Sequence, residues 1–139
     1  MFAALPLLAL PVVLYNVLVM TMGGFHSPDT AARLSAPLFT LKATSHVAWV
    51  VSQGDLLLMG ALVVLFVELL KSTTSPQAAI INHSLSMMLF IGCLVEFLLL
   101  PAFATSVFFL LMLMVLLDVL AGFIVTIVAS RREIDFRDR

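Results

Sequence analysis

The stretch PQAAIINHSLSMMLFIGCLVEFLLLP, residues 76–101, decides how the chain is read. It is long enough to cross a bilayer, because about twenty apolar residues span the hydrocarbon. Yet it carries Asn82, His83, Ser84, Ser86, Cys93 and Glu96 within that length. Asn82, Ser86, Leu89, Cys93 and Glu96 recur at i, i+4, i+7, i+11 and i+14, which is one stripe of a helix. Acyl chains offer such a stripe no hydrogen bonds, so it must face protein or trapped water.

The rest of the chain agrees with this start. Of its 139 residues, 63% are hydrophobic and only 11% charged, where soluble domains carry roughly a quarter charged residues. The fold class expected is an all-α integral membrane protein, a four-transmembrane-helix antiparallel bundle forming a single membrane domain. Long unbroken apolar runs argue against a transmembrane β-barrel, whose strands alternate. No basic, aromatic-interleaved patch is present, which excludes nucleic acid as a partner. Cys93 is the lone cysteine and reads as a small core residue with no internal disulfide.

Helices are expected over about 2–22, 55–70, 76–100 and 106–130, with an extracytoplasmic loop at 23–54 and a cytoplasmic tail at 131–139. The first has no Lys or Arg ahead of it and is too long for a signal-peptide core, so it reads as an uncleaved span. Pro6 is tolerated in its first turns, while Pro11 is expected to kink it. In the loop, GGFHSPDT is turn chemistry. Beyond it Phe39, Leu41 and Ala43, then Val47, Trp49 and Val51, occupy every second position around Thr44, Ser45 and His46. That alternation reads as a short β-hairpin, the competing readings being an interfacial helix around 31–35 or an irregular loop. Trp49 suits the headgroup level in each case. Asp55 is expected to cap the second span and Lys71 to close it. Ser75 should cap the third, with Pro76 at its first position, and Thr105 or Ser106 the fourth.

Positive charge sets the orientation. Lys71, Arg131, Arg132, Arg137 and Arg139 gather on one side, Arg33 and Lys42 on the other, which places both termini in the cytoplasm. A small extracytoplasmic face with no cytoplasmic domain fits a bacterial inner membrane.

Counting about 1.5 Å per residue sets Asp118 level with Ser86 and Gly60, Glu96 level with Asn16, and Glu68 within one turn of His83. Gly60, Ala61 and Val64 lead up to Glu68 on one face, and Asp118, Gly122, Thr126 and Ser130 recur every four residues beside Ala121 and Ala129. Small residues of this kind let membrane helices approach closely. A mid-span carboxylate is a functional candidate by default, which singles out Asp118. Each group also has a structural account. Glu68 and Lys71 form an i,i+3 pair that can snorkel, Glu96 can hydrogen-bond Asn16, and His83 can simply pack between helices. The methionines serve as core filler.

No cofactor is expected. Haem held by two histidines fails because only His83 lies inside a span, and a His83–Met haem or copper site, drawing on Met87, Met88, Met112 or Met114, is disfavoured. Zinc wants clustered ligands, whereas His26 and His46 stand isolated on the loop. No nucleophile motif, phosphate-cradling loop or metalloprotease helix appears, so an enzyme is not expected. The chain is similar in size and helix count to small four-helix transporters with one essential intramembrane carboxylate. Theirs lies in the first helix, and this first helix has none. The Arg-rich second-helix signature of the four-helix membrane enzymes of glutathione and eicosanoid metabolism is also missing.

The leading expectation is therefore a bilayer protein acting through helix–helix association, as a homo-oligomer or an accessory subunit of a membrane complex. The alternative is a proton-coupled or small-solute transporter or channel, with Asp118 titrating and Ser86, Glu96 and Asn16 along the route. A third is a lipophilic-ligand or cofactor-binding bundle using His83. The topology is tested with a membrane-impermeant maleimide on intact cells expressing Cys93→Ala. A cysteine introduced at Ser45 should react and one at Arg137 should not, and the opposite pattern would invert the orientation.

Overall fold

The computed structural model describes residues 5–72 and 76–137. The expected helix start at Phe2 and the Ser75 cap lie outside them. In chain order the elements are α1 (Ala9–Thr21), α2 (Thr30–Leu34), β1 (Pro37–Lys42), β2 (Ala48–Ser52), α3 (Gln53–Ser72), α4 (Pro76–Leu99), a 3-10 turn (Pro101–Phe103) and α5 (Ser106–Arg137). The protein is mostly helical, and three helices, α3, α4 and α5, are long and apolar enough to cross a membrane.

Helix α1 is the exception. Its thirteen residues span about 20 Å, short of the roughly 30 Å of a bilayer core. Pro11 was expected inside a longer helix. The helix begins at Ala9, so Pro11 lies in the first turn, where its missing N–H would have had no intrahelical partner. Residues 5–8 lead in through i+3 turns, with Ala9 N–H donating to Pro6 O and Leu10 N–H to Leu7 O. At the other end Gly23 and Gly24 take φ of +120° and +85°, a reversal that a β-carbon would strain.

The loop contains both competing elements, the short helix α2 and a two-stranded antiparallel hairpin. Lys42 pairs with Ala48, Leu41 with Trp49, Thr40 with Val50 and Phe39 with Val51, with an irregularity between Pro37 and Phe39. Phe39, Leu41, Trp49 and Val51 thus share one face. Only Val51 is buried, and the others project from the molecule. His46, at φ 61°, closes the turn as its N–H donates to Ala43 O.

The helix starts follow local chemistry. Ser52, not Asp55, caps α3: its hydroxyl accepts from Asp55 N–H, while the Asp55 carboxylate accepts from Ser52 N–H and Oγ–H, a reciprocal box. The helix gains two residues at that end relative to expectation. Thr105 caps α5 by accepting from Phe108 N–H. Helix α5 continues through the segment expected as a tail, giving thirty-two residues and about 48 Å of length.

Helix α5 is central, packed along α4 and α3. Phe108, Leu111, Met112, Val115, Asp118 and Val119 are buried along it. The α4–α5 end is closed by an aromatic cluster in which Tyr15 sits between Phe103 and Phe108, with ring centroids 5.4 and 4.7 Å away. The Tyr15 hydroxyl donates to Ala102 O (3.1 Å) and pairs with Thr105 Oγ1 (2.7 Å), tying α1 to the 3-10 turn and to the α5 cap.

Two glycines separate close packing from open surface. A β-carbon on Gly122 would fall on the His83 ring, whereas one on Gly60 would meet nothing. The exposed Gly60 therefore takes no part in the packing expected of it, and the buried Ala61 does. In an open helix interior Gly→Ala gains about 1 kcal/mol. Thermal unfolding in detergent should show Gly60→Ala stabilised on that scale and Gly122→Ala destabilised, despite its better helix propensity.

Candidate functional site

Polar side chains converge at the end of the bundle where α3 gives way to α4. Glu68 on α3 is fully buried, at 0% exposure. Its Oε1 accepts from Asn82 Nδ2 at 2.6 Å and pairs with Lys71 Nζ at 3.0 Å. Its Oε2 accepts from Leu7 N–H at 2.6 Å. Lys71 Nζ also donates to Leu5 O at 2.6 Å and to Asn82 Oδ1 at 3.3 Å. The ion pair expected from the i,i+3 spacing is present, but it does not snorkel outward. Glu68 turns into the protein because α1 and α4 bring donors to meet it.

The Leu7 contact has a local cause. Leu8 occupies the N-cap of α1 and has no side-chain oxygen to offer. The Glu68 carboxylate supplies an acceptor from sixty-one residues away. It also sets negative charge where the helix dipole is positive.

One turn further into the bundle, Ser86 Oγ donates to Asp118 Oδ2 at 2.6 Å. Both residues are 0% exposed. The two were expected at one depth, and the antiparallel packing of α4 on α5 joins them. Asp118 Oδ1 is buried without a hydrogen-bond partner, and so are both His83 ring nitrogens. Buried polar atoms are nearly always paired, so three unpaired ones mark a place where water or a ligand group belongs. Glu68, His83 and Lys71 all lie within electrostatic range of Asp118. His83 rests on Gly122, one turn beyond Asp118.

The α4 stripe is thus used within one chain. Asn82, Ser86 and Cys93 are buried, and Leu89 and Glu96 half-buried. Glu96 and Asn16 do meet, but at 3.5 Å, and Asn16 Nδ2 lies closer to Val12 O at 3.2 Å. This pair is separated from Asp118 by an apolar layer that includes Cys93, Leu111 and Val115. The side chains of Thr126, Ala129 and Ser130 lie outside the described residues.

His26 and His46 are exposed on the loop, and Met87 and Met88 are exposed on α4. Among the described residues no three His, Cys, Asp or Glu side chains converge as a metal site would require. Sequence reasoning missed the backbone groups of Leu5 and Leu7 and the Tyr15–Thr105 clasp. No local signal pointed to the first, because the N-cap at Leu8 lies inside a continuous apolar run.

No protein-family model, curated protein or solved structure matches this chain. The arrangement by itself defines a class, a helical protein with three apolar helices of membrane-crossing length and a buried carboxylate network. These three helices suggest a membrane protein.

Removing one partner from a buried ion pair costs about 3–5 kcal/mol, because the other charge is stranded. Glu68→Leu should therefore lower stability by that order in detergent denaturation. Adding Lys71→Met should restore much of it. Equal losses in the single and double variants would mean that the circuit is not coupled.

Proposed function

We propose that the chain is a multi-pass membrane protein whose working group is Asp118, and that the Asp118–Ser86–His83 cluster takes up and releases a proton as protons cross the membrane. It would cross the membrane four times with α1 as a short span, both termini cytoplasmic, and the hairpin outside.

One observation carries this reading: Asp118 is wholly buried at mid-helix, holds Ser86 with one oxygen and leaves the other unpaired. A carboxyl group kept only as structural glue would have both oxygens engaged, as Glu68 does. Oδ1 is the atom that gains and loses the proton. Ser86 fixes the orientation of the carboxyl group, and His83 offers the neighbouring basic nitrogens. Glu68, Asn82 and Lys71 form a polar path from the cytoplasmic end, while the Tyr15–Phe103–Phe108 cluster seals the outer half. The arrangement fits a state closed to the outside, in which the proton exchanges with the cytoplasm. Opening must part α1 from the α4–α5 link before a proton can pass the apolar layer toward Glu96.

A second reading, an accessory or self-associating subunit, draws on the hairpin. Phe39, Leu41 and Trp49 stand exposed on one face of it, an apolar surface suited to another membrane protein. The α4 stripe makes no such demand, since its polar groups are met inside one chain.

Proteoliposomes carrying a pH-sensitive dye under an imposed proton gradient separate the two. Wild-type protein should dissipate the gradient faster than protein-free vesicles, and Asp118→Asn should fall to the vesicle baseline while keeping its fold. Flux unchanged by that substitution would remove Asp118 from the mechanism. Native mass measurement of the same preparation would show a stable dimer or co-purifying subunit if the hairpin reading holds.

A further inference from the structure

A second feature lies between α1 and α3, nearer the hairpin than the Glu68 network. Helices α1 and α3 border a laterally open groove of about 410 Å³, within the ~300–1,000 Å³ of small-ligand sites. Leu14 and Leu18 form one wall, Leu57 and Val64 the other, Gly60 leaves the floor bare and Leu38 of the hairpin closes the end. Along α3 it runs from Gln53 to Val64, about 16 Å. That shape suits an extended chain.

Gln53 is the one polar side chain among the described lining residues. Its Oε1 is buried with no hydrogen-bond partner. It sits at the first position of α3 beside the hairpin, where the membrane reading puts the outer headgroup level. A buried amide oxygen left unpaired is costly, and it calls for a donor. Leu10, Leu14 and Leu56, exposed at the groove, open it toward the hydrocarbon.

We infer that the groove holds one acyl chain of a membrane lipid whose headgroup carries a hydrogen-bond donor, accepted by Gln53 Oε1. The apolar walls take the tail, and the glutamine selects the head. An ethanolamine lipid, with three N–H donors, fits, and a choline lipid, with none, does not. The site is separate from Asp118 and rests on the membrane reading but not on proton transfer.

The test is native mass spectrometry of the full chain released from vesicles of equal phosphatidylethanolamine and phosphatidylcholine with matched tails. Wild-type protein should retain one ethanolamine lipid several-fold over choline. Gln53→Leu should keep a lipid but lose the preference, and Gly60→Phe, which fills the floor, should lose the lipid. Val63→Phe, on an exposed face outside the groove, should behave as wild type. Equal retention of both lipids by wild type, or a preference that survives Gln53→Leu, overturns the proposal. Should Gly60→Phe not fold, Gln53→Leu alone decides. A chain that stays in the aqueous phase without detergent would overturn the membrane reading and this site together, whereas loss of proton flux would leave the lipid result untouched.

Discussion

The Glu68 carboxylate is the constraint on which the arrangement of helices rests. Together with Lys71 it joins α3, α4 and the start of α1 at once, through the ion pair, Asn82 and Leu7 N–H. Burying a charge among apolar helices is costly unless it is paired and hydrogen-bonded, and here both oxygens are engaged. The cost becomes a specification. A bundle that shifted α1 or α4 by one turn would strand the carboxylate, so alternatives with equally good apolar packing are penalised. Apolar contact alone cannot discriminate in this way, because it is non-directional.

Much of the fold was legible because its determinants are local or periodic. The apolar runs marked α3, α4 and α5, and alternation around His46 marked the hairpin, since both signals live within a few residues. The α4 stripe identified Asn82, Ser86 and Cys93 as inward-facing for the same reason. Depth counting put Ser86 beside Asp118 because antiparallel helices joined by a short link keep their register. Where that reasoning failed, the partner was distant. Nothing near Glu68 in the chain reveals that Leu7 N–H will need an acceptor, so the pair looked like a surface i,i+3 contact. The thirteen-residue length of α1 escaped notice because apolar sequence continues on both sides of it, and hydropathy does not tell helix from turn. Gly60 misled in another way, since a small residue on a packing face can line an opening as readily as a contact.

The polar and aromatic groups divide the interior unequally. At one end lie Glu68, Lys71, Asn82, His83, Ser86 and Asp118, and at the other Tyr15, Phe25, Phe103 and Phe108, with the loose Asn16–Glu96 contact among apolar neighbours. The two ends are built by different physics. The first is directional and sensitive to the loss of one atom. The second depends on area and shape, with edge-to-face rings and a single hydroxyl clasp holding α1 to the α4–α5 link. In the proposed mechanism the directional end keeps its geometry while the aromatic end parts, and that division matches the rigidity each type of contact confers.

Helix α5 runs unbroken from the Thr105 cap to Arg137, with Asp118 near its middle. Some nineteen residues, roughly 28 Å, separate that carboxyl group from the last turn. A rigid rod of this length works as a lever. A lean of about 10° pivoting at Asp118 would swing the far tip sideways by about 5 Å without any relay of side chains between them.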